Sequence, residues 1–240
     1  AEMIGNFLRF IRFSHTIFAL PFAVGALFVA ADGLPTGRVF LLVILAMVFA
    51  RTAAMTFNRL TDWEIDQKNP RTAGRHKLVA KPTAILACLI ASSLFIATTA
   101  FLNPLCLALS PVALFLIFFY SYTKRFTSLA QLFLGLALGV APVGAWLAVT
   151  GQFAWAPIAL AGAVMFWVAG FDIIYATQDF EIDRRDGLHS LVVRLGLPRA
   201  LAAAPIFHLV ALAGFLAFGL LAGLGPAYYV GLAGVGLALG

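Results

Sequence analysis

Eight apolar runs, each close to the length of a membrane crossing, fall near positions 14–31, 39–57, 84–101, 104–122, 129–149, 157–175, 200–222 and 226–240. A helix needs roughly 20 apolar residues to cross a hydrocarbon core of about 30 Å. Lipid-spanning strands would instead alternate in polarity over segments of about ten residues, and stretches such as LLVILAMVFA do not alternate. The chain therefore reads as an all-α polytopic membrane protein with eight transmembrane helices. Its composition agrees: 11% of the residues are charged and 62% hydrophobic, against about 25% charged in an average soluble domain. The first run is too long for a signal peptide and lacks a small-residue cleavage site. The eighth reaches the last residue without a polar flank, which predicts that the natural chain continues. Cys88 and Cys106 fall inside the third and fourth runs and read as small apolar residues.

Fourteen of the sixteen Lys and Arg residues precede run one or follow runs two, four and six. The other two are Arg38, in an intervening loop, and Arg51, inside run two. By the positive-inside rule both termini and these three loops face the cytosol, which predicts a bacterial inner membrane protein. The net charge of +6 follows this topology, and no aromatic-interleaved basic segment points to nucleic acid.

Six of the ten acidic residues belong to two near-copies of one pentapeptide, DWEID at 62–66 and DFEID at 179–183. Each follows an even-numbered run and opens a polar loop, which predicts one domain over 1–240 made of two related four-helix units, about 1–125 and 126–240. Asn58, Asp62 and Asp66 are spaced by four, a spacing that lines three oxygen ligands along one helical face. Asp172, Asp179 and Asp183, spaced by seven and four, do the same. Like charges so close are destabilising, and ionisable groups at the membrane are costly, so a cation is expected to compensate. Hard oxygen donors with an Asn among them suit Mg²⁺ held jointly by carboxylates and substrate phosphates. Salt bridges to nearby Lys and Arg are the plainer alternative for a single DxxxD. Glu64 and Glu181 lie off the stripes and read as loop-facing.

With these residues in view, the stretch NRLTDWEIDQKNPRTAGR resembles the NxxxDxxxD motif of the UbiA superfamily of intramembrane aromatic prenyltransferases, and DIIYATQDFEIDRRDG resembles its second motif. YSYTKR after run four and GVAPVGAW in run five are similar to further elements of that superfamily, all in family order. The resemblance implies nine transmembrane helices around a central cavity, and transfer of a polyprenyl group from polyprenyl diphosphate to an aromatic acceptor. It implies one Mg²⁺ at Asn58, Asp62 and Asp66 and a second at Asp179 and Asp183. Asp172 and Tyr175 become cavity residues, while Lys124, Tyr120, Arg71 and Arg75 would contact the diphosphate. After RTAGR, HKLVAKPTA departs from the Pro-Leu-Pro-Gly turn common in the family, so that loop's conformation is not carried over.

Such a reaction needs walls that keep an allylic cation from water, and Phe115, Phe118, Phe119, Tyr120, Phe166, Trp167, Phe171 and Tyr175 are candidates, with lipid exposure the competing role for each. Arg51, a cation inside a span, needs a partner or a task. It suits the carboxylate of 4-hydroxybenzoate, or else it snorkels or pairs with a motif aspartate. Arg12 and His15 are further acceptor candidates. His76, His189 and His208 read as solvated or packed. Dihydroxynaphthoate is the alternative acceptor, and RTAGR is more similar to the 4-hydroxybenzoate group of the family. A cation-coupled transporter is the reading from another class, but it favours broken helices at the membrane midplane. A CDP-alcohol phosphotransferase would need a DGxxAR segment, which is absent.

Overall fold

The computed structural model describes residues 2–11, 19–70, 72–74 and 77–239. All the regular secondary structure among them is helical. In chain order the helices are α1 (Glu2–Phe10), α2 (Leu20–Ala30), α3 (Gly37–Thr61), α4 (Trp63–Lys68), α5 (Lys81–Ala100), α6 (Pro104–Thr123), α7 (Ala130–Thr150), α8 (Trp155–Ala176), α9 (Phe180–Arg185), α10 (Leu191–Leu195), α11 (Leu197–Leu221) and α12 (Pro226–Leu239). Six of the eight expected spans are helices long and apolar enough to cross a membrane, namely those carried by α3, α5, α6, α7, α8 and α11. The first and eighth are represented by the shorter apolar helices α2 and α12, and the start of the first lies outside the described residues.

Local chemistry explains where the long helices begin and end. Thr36 accepts a hydrogen bond from the Val39 amide at the start of α3, and Asn103 accepts one from Cys106 at the start of α6. Each satisfies an amide that has no partner inside its helix. The Asn103 amide group also donates to the Leu147 carbonyl at 2.8 Å, tying α6 to the end of α7. There Gly151 turns the chain with φ +63°, a left-handed conformation that costs glycine little.

Between lipid-facing helices there is no hydrophobic drive to associate, so close backbone packing must hold the bundle. The helix α7 supplies it with Gly135 against the Met165 carbonyl and Gly139 against Ala161, both on α8. On the opposite side of α8, Gly170 leaves room for the His208 ring of α11, and Gly214 of α11 lies against Ala163. A second packed group, containing Leu114, Ile117 and Ala137, joins α3, α5, α6 and α7. Cys88 and Cys106 are buried and free of any disulfide, and Cys88 Sγ donates to the Ala53 carbonyl at 3.7 Å.

Candidate functional site

Both pentapeptides break their helices at the first aspartate. Asp62 closes α3 with φ −92° and ψ 11°, and Asp179 precedes α9 with φ −105° and ψ 4°. Each occupies the sparsely populated bridge region of backbone space, where many site residues sit. The straight stripe expected from the four-residue spacing is therefore interrupted at both aspartates. Across the first break the amide ladder nonetheless persists: Asp62 donates to Asn58 and Asp66 to Asp62, at 3.0 and 2.7 Å. The Asn58, Asp62 and Asp66 series thus stays connected while its helix bends around a cavity. A single turn of 3-10 helix, Thr177–Asp179, makes the corresponding bend after α8.

That cavity has a volume of about 260 Å³. It is lined by Asn58, Asp62, Asp66, Tyr120, Lys124, Asp172, Tyr175, Asp179 and Asp183, so nine of the twelve site residues expected from sequence converge. Arg71 and Arg75 fall outside the described residues, as do Arg12, His15 and His76. Arg51 does not line this cavity. It lies seven residues before Asn58, about 10 Å deeper along the helix, with Tyr120 and Arg59 as its electrostatic neighbours. Its buried Nε has no hydrogen-bond partner among the described residues. Glu64 and Glu181 are exposed, as their positions off the stripes predict.

Cations hold the first motif. The Asp62 side chain is buried and accepts from Lys124 Nζ at 2.5 Å and from an Arg125 Nη at 3.2 Å, one on each oxygen. Arg125 also donates to the Thr61 carbonyl at 2.7 Å. Asp66 accepts from Arg59 at 3.3 Å. The two motifs meet where Asn69, in the loop after α4, donates to Asp179 at 3.1 Å. The amide of His189 donates to the Lys124 carbonyl at 2.6 Å, which fastens the second polar loop to the end of α6.

Among the described residues no three His, Cys, Asp or Glu side chains stand close enough to form a ready metal cage. The donor set still fits Mg²⁺, a hard ion that keeps several waters and takes one or two carboxylates with substrate phosphates. Asn58, Asp62 and Asp66 face Asp172, Asp179 and Asp183 across one polar cavity, and protein cations already compensate the first of these groups. An anionic substrate and divalent ions can enter there without leaving carboxylates unpaired.

Several residues in or beside the cavity were not legible in the sequence. Arg125 stands beside the recognised Lys124, yet its grip on Asp62 follows from the α6 terminus lying over the α3 break. Arg59, Asn69 and Ser121 enter through tertiary contacts, Ser121 accepting from the Asn58 amide group at 3.4 Å. His189 borders the cavity while remaining exposed. Of the aromatic residues offered as walls, Tyr120 and Tyr175 border it, whereas Phe115 is 61% exposed on the outer surface of α6. Phe118 is stacked on Phe57, with ring centroids 4.3 Å apart.

An apolar helical bundle, capped at one end by two aspartate-bearing helix breaks and a lysine, is the architecture of a membrane-embedded prenyltransferase. Comparison with known proteins agrees. The pattern of the UbiA prenyltransferase family matches residues 19–240, and the chain belongs to that family. It is 34% identical over 210 residues to a 4-hydroxybenzoate octaprenyltransferase of Nitrosospira multiformis, covering 86% of this chain and 72% of the relative. A protein of the same description from Vibrio campbellii is 32% identical, with 86% and 73% covered. The apo structure of a UbiA homologue from Aeropyrum pernix K1 superposes with a TM-score of 0.86 at 34% identity, covering 94% of this chain and 86% of that one. A UbiA homologue from Archaeoglobus fulgidus, bound to GPP and Mg²⁺, shares the fold with a TM-score of 0.78 at 24% identity, with 98% and 84% covered.

Proposed function

We propose that the chain transfers a polyprenyl group from polyprenyl diphosphate to the ring of 4-hydroxybenzoate, with Mg²⁺, in ubiquinone biosynthesis. The observation that carries this reading is the cavity in which both aspartate breaks meet Lys124 at the polar end of an apolar bundle. The descriptions of the relatives as 4-hydroxybenzoate octaprenyltransferases support the acceptor, and GPP and Mg²⁺ in the Archaeoglobus fulgidus homologue support the donor and the ion.

In this reading Asn58, Asp62 and Asp66 hold one ion and Asp179 and Asp183 another, with Asp172 and Tyr175 beside them. Bound Mg²⁺ neutralises the charge that develops on the departing diphosphate. Lys124 releases part of its hold on Asp62 to pair with that diphosphate, and Tyr120, Arg71 and Arg75 complete its surroundings. The bond from the prenyl C1 to the diphosphate oxygen breaks, a bond from C1 to the acceptor ring carbon forms, and the ring proton leaves to Asp179, Asp183 or the freed diphosphate. Arg51, a buried cation beside Tyr120, holds the acceptor carboxylate.

The same reading takes all eight apolar helices as spans, with the aspartates facing the cytosol of a bacterial inner membrane because basic residues crowd that end. The matching backbone angles at Asp62 and Asp179 support two related units, about 1–125 and 126–240. The test is a product assay on the detergent-purified protein with geranyl diphosphate and 4-hydroxybenzoate, with Mg²⁺ or EDTA, beside Asp62→Ala. Mg²⁺-dependent prenylated product, lost in the variant, is the expected result. Product with dihydroxynaphthoate alone would overturn the acceptor and the role of Arg51. A folded protein silent with every ring acceptor would overturn the reaction.

A further inference from the structure

The acidic side chains of the cavity enter it from the break between α3 and α4, from α8 and from the turn into α9. The first turn of α7 and the segment just before α10 bring no acid. They bring Gln131 and Ser190, both on the cavity lining and only 2% and 5% exposed.

These two side chains are held in a particular sense. The Leu191 amide donates to Gln131 Oε1 at 3.1 Å, and the Val193 amide donates to Ser190 Oγ at 3.1 Å. A backbone N–H can only donate, so each bond fixes a side-chain oxygen. In the planar carboxamide of Gln131 this leaves the NH₂ arm, with its two hydrogens, for the cavity. Ser190 likewise keeps its hydroxyl hydrogen. Among the described residues neither group donates that hydrogen to a partner. Buried donors without an acceptor are costly and uncommon, so their placement on a cavity wall calls for an occupant rich in oxygen lone pairs. The same stretch of chain is fastened to Lys124, whose carbonyl accepts from the His189 amide at 2.6 Å. Lys124, Ser190 and Gln131 therefore belong to one connected wall, which carries the ammonium group as well as the two neutral donors.

We infer that Gln131 and Ser190 bind the diphosphate, donating to those of its oxygens that face away from the carboxylates. The assignment deepens the function proposed above and rests on its diphosphate reading. Carboxylates can reach a phosphate oxygen only through a cation, whereas an NH₂ or hydroxyl group reaches it directly, and a hydrogen bond to a charged acceptor is about twice as strong as one between neutral groups. Neutral donors also hold the anion without pairing with the neighbouring aspartates, which a further Lys or Arg would do.

The full chain in detergent tests this by calorimetric titration with geranyl thiolodiphosphate and Mg²⁺, a donor analogue whose carbon–sulfur bond resists departure. Gln131→Met keeps the length of the side chain and removes its NH₂ group. Ser190→Gly removes the hydroxyl at a helix start that glycine also serves well. Each should raise the dissociation constant about tenfold, and Ser190→Thr, which restores a hydroxyl, should return it to within about twofold of the native value. The KM for 4-hydroxybenzoate should stay within about twofold in all three. Native affinity for the analogue in both Gln131→Met and Ser190→Gly would overturn the inference. So would a weakening that Ser190→Thr does not reverse, or one that falls equally on 4-hydroxybenzoate, since either would mean that these side chains only brace the segment before α10. A native chain that binds no analogue would overturn the diphosphate reading of the cavity itself.

Discussion

Asn69 and Asp179, 110 residues apart in sequence, are joined by a 3.1 Å hydrogen bond from the amide group of one to the carboxylate of the other. It is a direct side-chain tie between the two halves of the site. Asn69→Ala should lower stability by about 1 kcal/mol, the usual net worth of such a bond, and slow prenyl transfer several-fold. Asp179→Asn separates tie from charge. It keeps a hydrogen-bonding partner for Asn69, so thermal unfolding in detergent should change little, while turnover should fall by about a hundredfold or more because a charged ligand is lost. Equal turnover in Asp179→Asn and the native protein would remove Asp179 from the metal site.

The buried Asp62 carboxylate depends on Lys124 and Arg125 for its compensation. Removing one partner of a buried pair leaves an uncompensated charge, but Arg125 is 31% exposed, so solvent screens part of the loss. Arg125→Ala should therefore destabilise by about 1 to 2 kcal/mol. Lys124→Ala should act mainly on the donor, raising its KM at least tenfold because a charge-assisted contact to phosphate is worth about 1.5 to 3 kcal/mol. Initial rates across a geranyl diphosphate titration, with melting curves for both variants, separate these effects.

Arg51 offers a buried Nε with no partner among the described residues. Arg51→Gln should raise the KM for 4-hydroxybenzoate about 10- to 100-fold, the value of one charged hydrogen bond in a low-dielectric site. The donor KM should stay within about twofold, since Arg51 lies two turns from Asn58. An equal rise in both constants, read from matched titrations, would place Arg51 with the diphosphate.

A methyl group on Gly135 would fall inside van der Waals contact with the Met165 carbonyl, whereas one on Gly144 would meet nothing within 4 Å. Gly135→Ala should cost about 1 to 3 kcal/mol through overpacking, and Gly144→Ala should be neutral. Paired melting curves in detergent decide this. Equal midpoints would mean that α7 and α8 can separate without loss.

The spans were the most legible part of the chain because hydrocarbon imposes a length and a composition on any crossing helix. The six long helices begin and end within four residues of the apolar runs that predict them. The largest shift is at the end of α3, which continues past its apolar run to carry Asn58 and Arg59 into the cavity. The repeated acidic pentapeptides likewise pointed to the cavity that they line, since carboxylates at a membrane edge require compensation. The breaks at Asp62 and Asp179 were hidden, because spacing by four is also what an unbroken helix produces. Arg125, Arg59 and Asn69 were hidden for another reason: their partners lie across the fold, and no periodicity records a tertiary contact. Arg51 was visible as an anomaly of polarity, and the structure sets it deeper than the cavity it was expected to serve.

The glycines of α7 and α11 bear on how a long lipid reaches the cavity. Where helices touch backbone to backbone, as α7 and α8 do at Gly135 and Gly139, no rotamer change can part them, and the contact behaves as a weld. Around α8 this weld continues to α11 through Gly214 and Ala163, so these three helices form a stiff arc of wall. A slot for an acyl-like chain must therefore open elsewhere on the perimeter, between helices that meet through larger side chains able to swing aside. In the function proposed above, the prenyl chain would then enter and leave the bundle away from α7, α8 and α11, whose glycines have the least to move.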